Sequence, residues 1–189
     1  DVKFGQGVSF HSEIKEAIAG SKNIVLAIPS QNIREIISQI KNDLDSSVCI
    51  INIAKGIESD TLKIISEVVY DVTKDISNYV TLSGPSHAEE VLANTPTAVV
   101  SASKNSSAAN YVQKLFSTNK LRVYTNSDLI GVEIGGSAKN VIAIAAGFCD
   151  GFGYGDNTKS ALMTLGIKEL SRLGLCFGAS RDTFFGLAG

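Results

Sequence analysis

Residues 131–158 read GVEIGGSAKNVIAIAAGFCDGFGYGDNT, and this stretch decides how the rest of the sequence is interpreted. Its apolar residues recur at helical spacing, which predicts a buried helix. Between residues 134 and 149 the only charged side chain is Lys139, and Gly135 and Gly136 lie one turn before it. Glycine costs about 1 kcal/mol relative to alanine inside a helix. Its presence here therefore predicts the close approach of another backbone or of a ligand.

Lys139 is the first candidate for a catalytic residue. Burial among small apolar side chains disfavours the ammonium form and lowers the pKa of a lysine, so that it can accept a proton near neutral pH. The alternative is a core-helix lysine that carries its ammonium to solvent along its aliphatic stem, and the local pattern leaves both interpretations open. The glycine-rich residues 147–155 add a polar loop beside the helix and favour a functional site.

Composition excludes several classes of protein. The 189 residues are 44% hydrophobic and 19% charged, which is typical of a globular core. A net charge of −2 provides no basic surface, so we expect no nucleic-acid partner. Cys49, Cys149 and Cys176 are an odd, scattered set that favours free thiols, and His11 and His87 lack the spacing of zinc ligands, so we expect no metal site. Because the apolar runs look too short to span a membrane and no signal peptide opens the chain, we expect a cytoplasmic protein without membrane insertion.

Strand-like and helix-like runs alternate along the first two thirds of the chain, which predicts an α/β fold of the Rossmann type with a mainly parallel, doubly wound sheet. Beyond residue 126 only helices are expected. We therefore divide the chain into a dinucleotide-binding domain, residues 1–130, and the first part of an all-α domain, residues 131–189. The predicted strands are 23–29, 48–54, 79–83, 97–102 and 121–125, and the predicted helices are 12–19, 31–40, 61–72, 108–116, 134–149, 159–173 and one from about 180.

Polar residues follow the first three predicted strands. Ligands bind beyond the carboxyl ends of the strands in open α/β sheets, so the three strand tips should share one rim. Lys55 would then point into a cleft, although an ordinary surface lysine fits the same position. Residues 86–89 match a capping box that opens a short helix, whose free amides would also suit an anion.

The glycine fingerprint of dinucleotide-binding folds is missing from the chain. The glycines of residues 5–7 do not follow a predicted strand, and those of residues 151–155 follow a helix. We therefore expect the sheet to lack its first strand–helix–strand and the chain to be truncated at its N-terminus.

Seven segments of the chain, in this order, resemble the bacterial type of NAD(P)-dependent glycerol-3-phosphate dehydrogenase. They are spread in the family's order across nearly the whole chain, and an ordered set is far more specific than any single motif. The segments are AIPSQ at 27–31, AKGIE at 54–58, LSGPSHAEEV at 82–91, DLIGVE at 128–133, GGSAKNVIAIAAG at 135–147, GYGDNT at 153–158 and TFFGLAG at 183–189.

The resemblance implies an enzyme that interconverts dihydroxyacetone phosphate and sn-glycerol 3-phosphate with NAD or NADP as cofactor. It also implies a role in glycerophospholipid synthesis and a homodimer, since members of this family are commonly dimeric. The site residues it implies are Lys139 as catalytic proton acceptor, Lys55, Gly84, Ser86, Lys139 and Asn140 as substrate contacts, and Lys55 and Ala88 as cofactor contacts.

Departures from the family pattern limit what this chain should do alone. Neither the glycine-rich phosphate loop nor the family's Arg-Asn pair that grips the substrate phosphate has a match. We therefore expect truncation at both ends, no turnover by these 189 residues alone and weak binding of the nicotinamide cofactor. The residue that selects NADH or NADPH normally follows the second strand, which has no match here.

Two alternatives remain open from the sequence. The first is another dehydrogenase with a Rossmann unit and a helical domain, of the 3-hydroxyacyl-CoA or 6-phosphogluconate type. The Lys139–Asn140 pair favours glycerol phosphate over these. The second is a non-catalytic fragment that keeps the fold, which the missing fingerprint fits. A buried lysine at position 139 argues against it, since a structural remnant would have little reason to keep one.

Overall fold

A computed structural model describes residues 4–75 and 77–187, and its centre is a five-stranded sheet. The strands lie in chain order, and three of the four neighbouring pairs are parallel, while β3 and β4 are antiparallel. The mainly parallel sheet predicted from the sequence is therefore confirmed. The strands are β1 Asn23–Leu26, β2 Cys49–Asn52, β3 Tyr79–Ser83, β4 Thr97–Ala102 and β5 Leu121–Asn126.

Helices cover both faces of this sheet, as a doubly wound fold requires. The helices are α1 Ile14–Ile18, α2 Ile33–Ile40, α3 Ile65–Thr73, α4 Ala88–Leu92, α5 Ser106–Phe116, α6 Leu129–Gly151 and α7 Asp156–Cys176. On β2, Ile50 packs into the apolar cluster that includes α2, α3 and the start of α6, while Cys49 and Ile51 face α5. Burial on both faces explains why β2 reads as a continuous apolar run.

Three helices differ most from the sequence-based prediction. Helix α6, predicted from residue 134, begins five residues earlier, at Leu129. The helix expected from residue 61 begins only at Ile65, because Ile57 and Ile64 pair as an isolated antiparallel bridge and the residues between them turn. The helix expected near residue 180 is a short 3₁₀ segment, Arg181–Phe185.

The capping box proposed at Ser86 is wrong. Helix α4 begins only at Ala88, with His87 as its N-cap and without a side-chain capping bond. The Ser86 hydroxyl turns instead towards the Gly84 carbonyl, at 3.5 Å. With only five residues, α4 is too short a helix to favour an anion at its start.

Asp128 caps α6 and ties its start to the 3₁₀ segment. One carboxylate oxygen accepts the amide of Gly131 at 2.9 Å. The other accepts the amide of Ser180 at 2.8 Å and the hydroxyl of Thr183 at 2.6 Å. A side-chain acceptor at this position satisfies amides that a helix start leaves without partners. Helix α6 runs without a break across residues 130 and 131, and the division of the chain into domains there stays a prediction.

Helix α6 is buried only over its first half, so the prediction of a buried helix holds for part of its length. Residues 129 and 131–136 are buried, whereas Val141, Ile144 and Phe148 are 67%, 62% and 61% exposed.

In the described part of the chain, α6 is also the one helix long and apolar enough to cross a membrane, so the expectation that every apolar run is too short was wrong. Core helices of globular proteins meet the same criterion, and 39% of this apolar window is buried inside the protein.

Candidate active site

The carboxyl ends of β1, β2 and β3 lie at one edge of the sheet, as the sequence predicted. The three strands are parallel, with Leu26 beside Asn52 and Asn52 beside Thr81. The loops after these strands therefore meet at one rim, and the first half of α6 packs against β3 next to it.

A small crevice lies between these loops and α6. Lys55 and Ser83 line it from the sheet side, and Gly136 and Ser137 line it from α6. A Cβ on Gly136 would lie 2.6 Å from the Ser83 hydroxyl and 4.0 Å from the stem of Lys55. The close approach predicted from the glycines thus involves side chains of the sheet and its loop. The Ser83 hydroxyl is buried and has no hydrogen-bond partner among the described residues.

Lys139 reaches from α6 to the loop after β3. Its side chain is partly buried, and the amine donates a hydrogen bond to the Gly84 carbonyl at 3.1 Å. Burial lowers the pKa of Lys139, and the positive charge of nearby Lys55 lowers it further. The amine is therefore held against the protein by a neutral acceptor, in surroundings that disfavour its charged form.

The loop that carries Lys55 is held at several points. The amide of Gly56 donates to the Ser137 hydroxyl on α6 at 3.0 Å. From the β1 side, the side-chain amide of Gln31 donates to the Ile57 carbonyl, and its oxygen accepts the amide of Ser59, both at 2.9 Å. These contacts fix the backbone that follows Lys55.

Gly84 cannot be replaced by another residue without strain. Its φ of +154° lies in a region that L-residues rarely adopt, and an added Cβ would lie 2.9 Å from the Cα of Val99. This backbone geometry presents the Gly84 carbonyl that receives the Lys139 amine.

The structure brings together some of the residues that the sequence analysis assigned to the site. Lys55, Gly84 and Lys139 meet at the rim, and Ser86 is joined to them through the Gly84 carbonyl. Asn140 and Ala88 are exposed. Asn140 follows Lys139 directly on α6, and Ala88 opens α4 two residues after Ser86.

A buried carboxyl group that lines the crevice escaped the sequence analysis. The Glu133 carboxylate accepts hydrogen bonds from the hydroxyls of Ser66, Tyr79 and Thr81, at 2.6, 2.6 and 2.8 Å, and from the Ser66 amide. Burial raises the pKa of Glu133, and these hydrogen bonds oppose that rise. The sequence did contain a signal for this residue. Glu133 is an acidic residue in an otherwise apolar run, just as Lys139 is a basic residue in one. Its partners are 52 to 67 residues away in sequence.

A group of ion pairs connects the loop that carries Lys55 to helices α2 and α3. The guanidinium of Arg34 on α2 donates to both carboxylate oxygens of Glu58, at 2.8 and 2.7 Å, and to Asp71 on α3 at 3.3 Å. Hydrogen bonding to Arg34 lowers the pKa of Glu58. The loop is therefore connected to both helices on that face of the sheet.

Comparison with known families finds matches along nearly the whole chain. The family described as NAD-dependent glycerol-3-phosphate dehydrogenase N-terminus matches residues 1–109, and the corresponding C-terminus family matches residues 128–189.

Individual relatives agree with this result. The chain is 48% identical over 189 residues to a glycerol-3-phosphate dehydrogenase [NAD(P)+] of Thermoanaerobacter sp., covering all of this chain and 57% of the relative. It is 52% identical over 177 residues to that of Clostridium botulinum, covering 93% and 53%. A solved glycerol-3-phosphate dehydrogenase from Coxiella burnetii has a TM-score of 0.91 at 36% identity, over 98% of this chain and 57% of that one. The chain thus spans a little over half the length of these relatives.

Proposed function

The chain belongs to the NAD-dependent glycerol-3-phosphate dehydrogenase family, and on this premise we propose that it carries the lysine pair of an active site. The proposed reaction interconverts dihydroxyacetone phosphate and sn-glycerol 3-phosphate with NAD or NADP. The observation that carries the proposal is the position of Lys139. Its amine is aimed at the rim by the Gly84 carbonyl, and its pKa is lowered by burial and by Lys55.

Lys139 is the proposed acid and base. In the reducing direction its ammonium donates a proton to the oxygen on C2 of the substrate, and in the oxidising direction its neutral amine accepts that proton. A lowered pKa makes the neutral, proton-accepting form easier to reach, which suits a group that must act in both directions. The cofactor, when bound, supplies or accepts the hydride at C2.

Lys55 is the proposed electrostatic partner. Negative charge grows on the C2 oxygen during reduction, and a cation in a partly buried crevice stabilises that charge more strongly than water does. Two lysines at one rim also favour a phosphorylated, anionic substrate. Gly84, Ser86 and Asn140 are the further substrate contacts that we propose from their places around Lys139.

The residues at the rim fit a nicotinamide cofactor as far as the chain supplies its site. Lys55 and Ala88 are the residues here that would hold NAD or NADP, and both follow carboxyl ends of parallel strands, where such ligands bind. The Ser83 hydroxyl lines the crevice, is buried and lacks a partner among the described residues, which leaves a polar atom for a bound molecule to satisfy.

The wider setting is proposed from the family alone. We propose that the product feeds glycerophospholipid synthesis, that the protein acts in the cytoplasm and that it forms a homodimer. Binding of nucleic acid and insertion into a membrane are not expected. We also propose that residues 1–130 form a dinucleotide-binding domain and residues 131–189 part of a helical substrate domain.

The test uses a chimaera in which this chain forms part of a full-length enzyme. Residues 1–189 replace the matching region of the Thermoanaerobacter relative, and oxidation of NADH or NADPH by dihydroxyacetone phosphate is followed. Lys139→Met should lower kcat about 100-fold or more, because it removes the proton donor. Lys168→Met on α7 is the matched control, since Lys168 is exposed.

Two results would contradict the proposal. One is turnover of Lys139→Met within a few-fold of the unsubstituted chimaera. The other is faster turnover with a 3-hydroxyacyl-CoA or with 6-phosphogluconate than with the triose phosphate pair, which would assign the lysines to another dehydrogenase.

A further inference from the structure

Ser137 joins two parts of the proposed site that are far apart in sequence. It lies on α6 between the buried Glu133 and the partly buried Lys139. Its hydroxyl accepts the amide of Gly56, the residue after Lys55, at 3.0 Å. The same hydroxyl donates to the Glu133 carbonyl one turn earlier, at 2.7 Å.

The Gly56 backbone lies close to the Ser30 side chain as well as to Ser137. Its φ is +151°, and a Cβ there would collide with the Ser30 side chain just after β1. Ser30 therefore lies against the loop, and Ser137 bonds its amide. The direction of the Gly56 amide, and with it the place where Lys55 leaves the backbone, depends on this contact.

Helix α6 thus holds two loops with side chains two positions apart. Ser137 bonds the loop after β2, which carries Lys55, and Lys139 bonds the Gly84 carbonyl in the loop after β3. The backbones of both loops are therefore tied to one helix, which itself carries Lys139. A serine hydroxyl bonded only to the carbonyl four residues before it is common in helices and contributes little. The second bond, to Gly56, distinguishes Ser137 from such a serine.

We propose that Ser137 is a positioning residue that fixes Lys55 relative to Lys139 through the Gly56 amide. The geometry of this inference comes from the two hydrogen bonds of Ser137. Its relevance to catalysis rests on the proposed function. Ser137→Ala would leave the Gly56 amide without its partner and free the loop to shift. Ser137→Thr keeps the hydroxyl and should keep the loop in place.

The test measures the two loops directly in the 189-residue chain, without turnover. Hydrogen exchange of the Gly56 amide and the titration of Lys139, followed by NMR with labelled lysine, are compared among variants. In Ser137→Ala the Gly56 amide should exchange about tenfold faster, as expected for the loss of one hydrogen bond. The pKa of Lys139 should rise, because the charge of Lys55 that lowers it moves away. Ser137→Thr should restore both values.

Two further variants serve as references. Ser38→Ala removes a hydroxyl that is bonded only to the carbonyl four residues earlier, at an exposed position on α2, and should change neither value. Lys55→Met shows how far the Lys139 titration moves when the neighbouring charge is removed altogether. Adding Ser137→Ala to Lys55→Met should then produce no further rise.

An unchanged Lys139 titration in Ser137→Ala would overturn the inference, whether or not the Gly56 amide exchanges faster, because Ser137 would then be only structural. A further rise on top of Lys55→Met would overturn it as well. Neither readout depends on substrate. Failure of the chimaera assay therefore contradicts the proposed reaction alone, and failure of these titrations contradicts the role of Ser137 alone.

Discussion

The two halves of α6 have similar apolar sequences and opposite surroundings. The first half packs against the sheet, where Ile134 is fully buried and Glu133 makes its hydrogen bonds to α3 and β3. The second half packs against α7 on one side only, and its side chains at 141, 144 and 148 are mostly exposed. Helical periodicity is present in both halves. Which apolar side chains are covered is decided by the partner elements, and local sequence does not contain that information.

The comparison also gives a physical reason for the role proposed for Lys139. Lys139 stands at the border of the two halves, shortly after the last buried position, Gly136. A lysine one turn earlier would be enclosed in the core, and one placed among the exposed residues would be fully hydrated. At the border, the side chain is partly desolvated and its amine still reaches the rim.

The largest effect is expected from a matched pair of isoleucines. Ile134→Ala should lower the free energy of unfolding by about 2 to 5 kcal/mol, because it leaves a cavity in the buried half. Ile144→Ala in the exposed half should change it by less than about 0.5 kcal/mol. Urea unfolding of both variants measures the difference. Equal losses would mean that the second half of α6 is as well covered as the first.

A pair of glycines should show effects of opposite sign. An alanine at Gly131 would collide with the Asp128 carboxylate and disturb its bonds to Ser180 and Thr183, so Gly131→Ala should destabilise the protein by about 1 to 2 kcal/mol. A Cβ added to Gly147 would meet nothing within 4 Å. Gly147→Ala should therefore stabilise the helix, by about 0.5 to 1 kcal/mol. Thermal unfolding followed by circular dichroism distinguishes the two, and a loss of stability in both would show that the exposed half needs its glycine.

The smallest effect is a change in pH dependence. Because the folded state raises the pKa of Glu133, its contribution to stability is full below the ordinary value of 4.5 and is lost as pH rises through the raised value. Glu133→Gln removes this dependence, so the unsubstituted protein should lose stability relative to the variant as pH rises.

Glu58 provides the opposite control. Its pKa is lowered by Arg34, so its contribution is present at higher pH and is lost as pH falls through the lowered value. Midpoints of urea unfolding between about pH 3 and pH 8, a range that extends to both sides of the ordinary carboxyl value, compare the variants Glu133→Gln and Glu58→Gln. Parallel pH profiles of Glu133→Gln and the unsubstituted protein would contradict the buried-carboxyl interpretation.

The sheet could be predicted from the sequence because its strands are covered on both faces. Continuous apolar runs such as β2, alternating with helical runs, are typical of the strands of a doubly wound sheet. The antiparallel β3–β4 pair could not be predicted, since strand direction depends on how α4 and its loop return the chain. The start of α3 was misplaced because Ile57 and Ile64 pair across a turn that carries no clear sequence signal.

The candidate site was predictable in its charges and not in its hydrogen bonds. Lys55 and Lys139 stand out as cations at a strand end and in an apolar helix. The bond of Ser137 to Gly56 and the bonds of the Glu133 carboxylate were not visible, because they join residues at least 52 positions apart. In the sequence, Ser137 is one small residue among glycines and alanines. Only the structure shows that its hydroxyl accepts the Gly56 amide.

Among the described residues, the Lys139 amine bonds to a backbone carbonyl and not to a carboxylate. A carboxylate in place of the Gly84 carbonyl would hold the side chain just as firmly. It would also raise the pKa of Lys139 and keep the amine protonated. An uncharged oxygen steers the nitrogen while leaving its ionisation adjustable. Whatever enters this corner of the molecule meets an amine whose direction is set by the main chain and whose proton is not tied to a carboxylate among the described residues.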